Sequence, residues 1–228
     1  CEDEKVLARE SFWLYRANEV VTAFGTADAP HNGSQLATAF LNSQPDLKNK
    51  RLVLYLSRIH EKKGCDLLIE AFARVAKQDP TLQLIMAGPD QTGWSATLKD
   101  LAKQRGISER ISWLGMLSGD MKWGAFYAAE VFCLPSHQEN FGIVVAEALA
   151  CSKPVLISNK VNIWREIETG QAGFVDDDTI EGTVRNLQRW LDMDKSAYEA
   201  LTKNSRKCFT SNFLIQQAAE KLVEILQE

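Results

Sequence analysis

From Arg51 onward, short apolar runs alternate with stretches whose apolar residues recur at helical spacing, the pattern of βα units that build a parallel sheet. "RLVLYL" (51–56) reads as a buried strand, and "GCDLLIEAFARVAK" (64–77) places Leu67, Leu68, Ala71, Phe72 and Val75 along one helical face. "LQLIMAG" (82–88), "RISWLG" (110–115), "EVFCLPS" (130–136) and "KPVLISN" (153–159) are further predicted strands, with "QAGFV" a sixth. Helices are expected between them near 93–105, 119–129 and 142–151. After Asp178 the pattern is wholly helical, through "TIEGTVRNLQRWLDM", "DKSAYEALTKNSRKCF" and "FLIQQAAEKLVEILQ". The expected fold class is α/β: one Rossmann-like, doubly wound parallel sheet of about six strands with a helical C-terminal tail and no internal linker.

Residues 1–50 depart from this pattern. "EDEKVLARESFWLYRAN" (2–18) predicts a helix, "EVVTAF" (19–24) a strand, and the Gly, Pro, Asn and Ser content of 25–48 a long loop holding one helical turn. Two parts are therefore expected: residues 1–50 as a joint from the end of a preceding N-terminal domain, and residues 51–228 as the ligand-binding domain. Phe12, Trp13 and Leu14, together with the final helix, need a neighbour to pack on. Without one, self-association through an exposed apolar patch is expected.

Composition narrows the function classes. A chain of 228 residues, 45% hydrophobic and 25% charged, is that of an ordinary globular protein. A net charge of −4 gives no electrostatic footprint for nucleic acid or an anionic membrane, and the aromatic residues are not interleaved with basic ones. No apolar run approaches the roughly 20 residues needed to span a bilayer, and no cleavable signal opens the chain, so a cytoplasmic setting is expected. Cys1, Cys65, Cys133, Cys151 and Cys208 are odd in number and widely spaced, and read as reduced thiols rather than a disulfide framework or zinc knuckle. In that setting Asn32-Gly33-Ser34 reads as a turn rather than a glycosylation site. His31, His60 and His137 share no metal-binding spacing, and His137 reads as a loop residue with substrate contact as the alternative. Asp176, Asp177 and Asp178 read as a polar turn and N-cap before a helix near Thr179. No metal and no cofactor is expected.

In an open parallel sheet, ligands bind outside the carboxyl ends of the strands. After the first predicted strand, "SRIHEKKG" offers Arg58 and Lys63 before a helix. A guanidinium fork and an ammonium beside a helix N-terminus would suit a diphosphate, although a solvated basic loop gives the same pattern. After the second strand, Gly88 would let backbone approach a ligand, or merely make a turn. In "HQENFGIVVAEALA" the helix begun at Gly142 is apolar on all sides except for Glu147. A carboxylate buried there alone would be costly, so it must have a partner. Paired sugar hydroxyls would serve, because an ionised carboxylate accepts two hydrogen bonds side by side. So would an internal Arg or Ser, with Glu139 then a helix-terminal charge. The backbone N–H groups of Phe141, Gly142 and Ile143 would cradle an anion at the positive end of the helix dipole.

"LYLSRIHEKKGCDLLIEAF", "LIMAGPD", "ISWLGML", "FYAAEVFCLPSHQENFGIVVAEALACSKPVLIS" and "EIETGQAGFV" fall in the order and spacing of the C-terminal domain of family 4 retaining glycosyltransferases, the GT-B fold group, which the chain resembles over about residues 51–178. The resemblance implies that this domain binds a nucleotide diphosphate sugar, with Arg58 and Lys63 on the phosphates and Glu147 on the ribose hydroxyls. It implies that Glu139 contacts the donor sugar and that the Phe141–Ile143 backbone meets the sugar and β-phosphate. Met116 and Leu117 would offer backbone groups to the base, and Gly25 would match the joint glycine that approaches the donor. Ser152 stands where the family usually has Gly, and Asn140 where Gly commonly follows the first Glu. The expected activity is transfer of a sugar to a hydroxyl acceptor in glycan or polysaccharide biosynthesis. A glycan or lipid-linked acceptor would be held mainly by the N-terminal domain, and this half alone would be inactive. A sugar phosphorylase or synthase on the same fold and a non-catalytic nucleotide-sugar sensor or scaffold are the rivals. A dinucleotide dehydrogenase is disfavoured, since no G-x-G-x-x-G follows any predicted strand.

Overall fold

The computed structural model describes residues 2–11, 13–16, 19–20 and 24–227. Cys1, Phe12 and residues 21–23 of the predicted 19–24 strand lie outside them. The elements in chain order are α1 (Glu2–Ser11), α2 (Gly33–Ser43), β1 (Arg51–Leu56), α3 (Cys65–Val75), β2 (Leu82–Ala87), α4 (Trp94–Gln104), β3 (Ile111–Gly115) and α5 (Gly119–Ala128). They continue with β4 (Val131–Leu134), α6 (Ile143–Ala150), β5 (Val155–Ser158), α7 (Trp164–Thr169), β6 (Gly173–Asp176), α8 (Ile180–Leu191), α9 (Lys195–Asn212) and α10 (Ile215–Gln227).

The fold is the expected α/β class: six strands in the order β3-β2-β1-β4-β5-β6 form one sheet with every pairing parallel, followed by the three C-terminal helices. β2, β4 and β5 are buried along their whole length, and β1 everywhere except at Arg51. Helices cover both faces, so these strands read as continuous apolar runs rather than alternating ones. The order reverses between β1 and β4. Loops leaving the carboxyl ends of these two strands diverge there, opening the crevice in which doubly wound sheets bind ligands.

The N-terminal region departs from its predicted elements. α1 ends at Ser11, not at residue 18, and Glu19, Val20 and Phe24 belong to no strand. The expected loop of 25–48 contains the full helix α2, with Asn32 at its N-cap position. A short segment of this composition would not hold a helix alone; packing on α5 supplies the stability. Leu36 and Phe40 are buried, and glycines sit at the closest approach. A Cβ on Gly124 would lie 2.6 Å from the Leu36 carbonyl oxygen, and one on Gly33 would lie 2.5 Å from the Tyr127 ring. The Tyr127 hydroxyl also donates to the Pro30 carbonyl at 2.6 Å. Upstream of α2, Arg206 of α9 forks onto both oxygens of Asp28 at 2.6 and 2.7 Å and holds that carboxyl below its usual range. Residues 26–43 are thereby bonded to α5 and α9 of the domain they precede.

Cys65, Cys133, Cys151 and Cys208 are free and buried, and burial raises all four thiols above their ordinary range. α8 is capped by Thr179, whose hydroxyl accepts the Gly182 N–H at 3.0 Å. The neighbouring aspartates are otherwise engaged: Asp176 pairs with Arg185 and Arg189, Asp177 accepts from Asn159, and Asp178 meets His137. Among the described residues no helix is long and apolar enough to cross a membrane.

Candidate active site

Three connections, after β1, β4 and β5, build the crevice at the order reversal. The β1 connection carries Arg58 and Lys63 and is held from below. Tyr55, fully buried in β1, donates its hydroxyl to the Arg58 carbonyl at 2.7 Å and lies 3.1 Å from the Cys65 thiol. Burial, then Cys65, pushes the Tyr55 phenol well above its ordinary range, so it remains a donor. His60 caps the turn that follows, its Nδ1 accepting the Lys62 N–H at 3.1 Å. The β4 connection is bonded to this loop: Ser136 Oγ and the His137 N–H both donate to the Lys62 carbonyl, at 2.8 and 2.9 Å. The β5 connection completes the set, with the Glu139 N–H on the Lys160 carbonyl and the Asn162 N–H on the Glu139 carbonyl, each at 3.0 Å.

Within this frame Lys63, only 8% exposed, makes an ion pair with Glu139 and reaches the Gln138 carbonyl at 3.4 Å. The Arg58 side chain is exposed and makes no ion pair or hydrogen bond with the described residues. Gly142, at φ 76°, caps α6; a Cβ there would come within 3.2 Å of both Glu139 and Val145. A positive φ is what turns the chain from the Glu139 loop into the helix, and glycine adopts it freely. The N–H groups of Phe141, Gly142 and Ile143 meet no acceptor among the described residues, which leaves the positive end of α6 open beside the Lys63–Glu139 pair.

Glu147, 8% exposed, has the partner that its apolar helix demands, and the partner is a lysine: Lys122 Nζ lies 2.6 Å from Oε1. Lys122 is the site residue that sequence reasoning missed. The signal was available, as a carboxylate in need of a partner and a lone lysine in the first turn of the helix after the Met116–Leu117 loop. Met116 is 72% exposed and Leu117 half-buried in that loop.

Two glycines find a packing reason as well. A Cβ on Gly88 would fall 1.7 Å from the Ser57 carbonyl oxygen, and one on Gly25 would fall 2.6 Å from Ile215 Cα. Phe24 and Phe213 both pack edge-on against Phe141, with ring centroids 4.9 and 5.7 Å away, so the N-terminal segment and the α9–α10 junction meet at the rim of the crevice. Ser152 lies just beyond α6 at φ 60°, a conformation that explains why glycine would suit the position. A groove of about 530 Å³ between α7 and α9, lined in part by Arg165, Glu166, Asn204 and Lys207, contains none of the residues proposed in the sequence for donor binding.

Residues 39–208 match the family model described as glycosyl transferases group 1. Among curated proteins, the D-inositol 3-phosphate glycosyltransferase of Rhodococcus opacus is 28% identical over 179 residues, covering 76% of this chain and 40% of that protein. The alpha-D-kanosaminyltransferase of Streptomyces kanamyceticus is 26% identical over 83% of this chain and 49% of its own length. Among solved structures, the sucrose-phosphate synthase of Thermosynechococcus elongatus superposes with a TM-score of 0.80 at 24% identity, covering 99% of this chain and 56% of that one. The complex of Anabaena HepE with UDP-glucose gives 0.74 at 22% identity, covering 89% and 56%. The chain thus spans about half or less of these longer proteins, whereas it covers the whole of the isolated C-terminal domain of a Francisella tularensis group 1 glycosyl transferase, LpcC, at a TM-score of 0.71 and 18% identity. With its sheet order, its crevice and three quarters of its length matched in this way, the chain belongs to the group 1 glycosyl transferases and has the fold of a C-terminal GT-B domain.

Proposed function

We propose that the crevice between β1 and β4 binds a nucleoside diphosphate sugar, and that the chain is the donor-binding half of a retaining glycosyltransferase acting on a hydroxyl acceptor. The observation that carries this reading is the open positive pole at the crevice. Arg58, whose guanidinium has no ion pair or hydrogen bond among the described residues, and Lys63 belong to the β1 connection, which is bonded to the segment leading into α6; that helix has no side-chain cap, and its only ionised side chain is Glu147. HepE, a relative in fold, was crystallised with UDP-glucose, which supports this donor class.

In this reading catalysis is positioning plus leaving-group stabilisation. Arg58, Lys63 and the α6 N-terminus neutralise the diphosphate as the bond from its oxygen to the sugar breaks. Glu139, already bonded through its backbone to the β5 connection, faces the donor sugar. Glu147 takes the ribose hydroxyls, and the Met116–Leu117 backbone takes the base. The acceptor belongs to an N-terminal domain, so the chain by itself binds donor without appreciable transfer.

Titration calorimetry with UDP, GDP and ADP tests the binding claim: one of them should bind, and heat with none of the three would remove the reading. EDTA should leave the affinity unchanged, because the counter-charge is supplied by side chains and a helix terminus. Binding that required a divalent ion would overturn this account of the phosphate site.

Glu139→Gln separates the sugar from the phosphates. Glu139 is the counter-ion of Lys63, so the amide frees the ammonium. The diphosphate should bind as tightly as before or more tightly, while the diphosphate sugar loses about 10-fold, the scale of one hydrogen bond to a charged group. Equal losses for both ligands would remove the sugar role of Glu139.

A further inference from the structure

Glu147 is the only charged residue of α6, and the group that neutralises it comes from another helix. Lys122 sits in the first turn of α5, where its N–H donates to the Ser118 carbonyl at 3.3 Å. That turn directly follows the 115–118 connection, which carries Met116 and Leu117. The ammonium lies 2.6 Å from Glu147 Oε1 and 4.4 Å from the centroid of the Trp123 ring. Oε2 of Glu147 accepts no hydrogen bond from the described residues. The pair is well enclosed, with the Glu147 side chain 11% and the Lys122 side chain 23% exposed.

We propose that Lys122 is a positioning residue for nucleoside recognition: by holding Oε1 it fixes the Glu147 carboxylate in one orientation and leaves Oε2 to the ribose diol. The proposal rests on the assignment of a nucleoside diphosphate to this crevice. Its physical basis is the burial of Glu147. A carboxylate in an apolar helix without its counter-ion carries a desolvation cost that drives it toward water, away from the orientation a ribose needs. Because Lys122 begins the helix that follows the Met116–Leu117 loop, it also ties the proposed base-binding loop to the proposed ribose-binding carboxylate. Base and sugar of one nucleoside are then read by a single connected unit.

The test is the ratio of affinities for a ribonucleoside diphosphate and its 2′-deoxy form, UDP and 2′-deoxy-UDP, measured by calorimetry on the wild type, Lys122→Met, Lys122→Arg, Glu147→Gln and the double variant. UDP is replaced by GDP or ADP if one of those is the nucleotide the chain prefers. Wild type should prefer the ribonucleotide by about 10-fold or more, the scale of a hydrogen bond to a charged acceptor. Lys122→Met should bring the ratio close to one, Lys122→Arg should keep most of it, and the double variant should be no worse than either single one. Lys122→Met weakening both nucleotides equally, with the ratio intact, would make Lys122 merely structural and overturn the proposal. A ratio that also survives Glu147→Gln would instead show that Glu147 does not read the ribose, so the two failures are distinguishable. Should Lys122→Met not fold, Lys122→Gln removes the charge while keeping a polar end and is read by the same ratio.

Discussion

Lys63→Met is expected to weaken nucleoside diphosphate binding about 100-fold or more, the largest loss at any single position of the crevice. Two effects act in the same direction. The variant loses a charge-assisted contact to the phosphates, about 1.5–3 kcal/mol or roughly 10- to 100-fold. It also strips Glu139 of its counter-ion, since the two side chains form an ion pair in a site where they are only 10% and 21% exposed. An uncompensated carboxylate facing a diphosphate adds repulsion of about 2–3 kcal/mol at some 6 Å and an effective dielectric constant near 20. Lys63→Met combined with Glu139→Gln should therefore recover part of the loss. Calorimetry on the two variants reads both effects. A single variant within threefold of wild type, or a double variant weaker than the single, would contradict this description of the charge balance.

Gly88→Ala should produce the largest loss of stability, about 3 kcal/mol. Gly88 has φ 144°, and a Cβ there would stand 1.7 Å from the Ser57 carbonyl oxygen, closer than any non-bonded approach allows. The left-handed conformation costs an L-residue about 1–2 kcal/mol, and moving a packed backbone adds about 1–3 kcal/mol. For a domain of this size that corresponds to a fall in Tm of roughly 6–12 °C. The segment that must yield is Ser57-Arg58, so donor affinity should fall with stability. Thermal unfolding checks the first effect and calorimetry the second. A variant as stable as wild type would mean that the two loops are not in contact.

The sheet was legible because its central strands β1, β2, β4 and β5 are buried on both faces and separated by helical stretches, so that each apolar run of four to six residues stands alone. Arg58, Lys63 and Glu139 drew attention as charges on the connections that leave β1 and β4, and Glu147 as the lone carboxylate of an apolar helix that must have a partner. α2 was not legible, because it lies in a stretch rich in Gly, Pro, Asn and Ser, and the close approach to α5 at Gly33 and Gly124 that holds it appears only where the two helices touch. α7 escaped notice too: it has six residues, of which Ile167 alone is buried, too short for a periodic signal. Lys122 was hidden for a third reason. Its partner lies 25 residues away on another helix, so the sequence shows that Glu147 needs a partner but not which residue supplies it.

The most direct test of the donor site is a crystal structure of the chain with the nucleoside diphosphate that binds best. The expected result has the phosphates within hydrogen-bond distance of Arg58, Lys63 and the Ile143 N–H, and the ribose hydroxyls on Glu147. A diphosphate seated instead in the groove between α7 and α9, near Arg165 and Lys207, would contradict it.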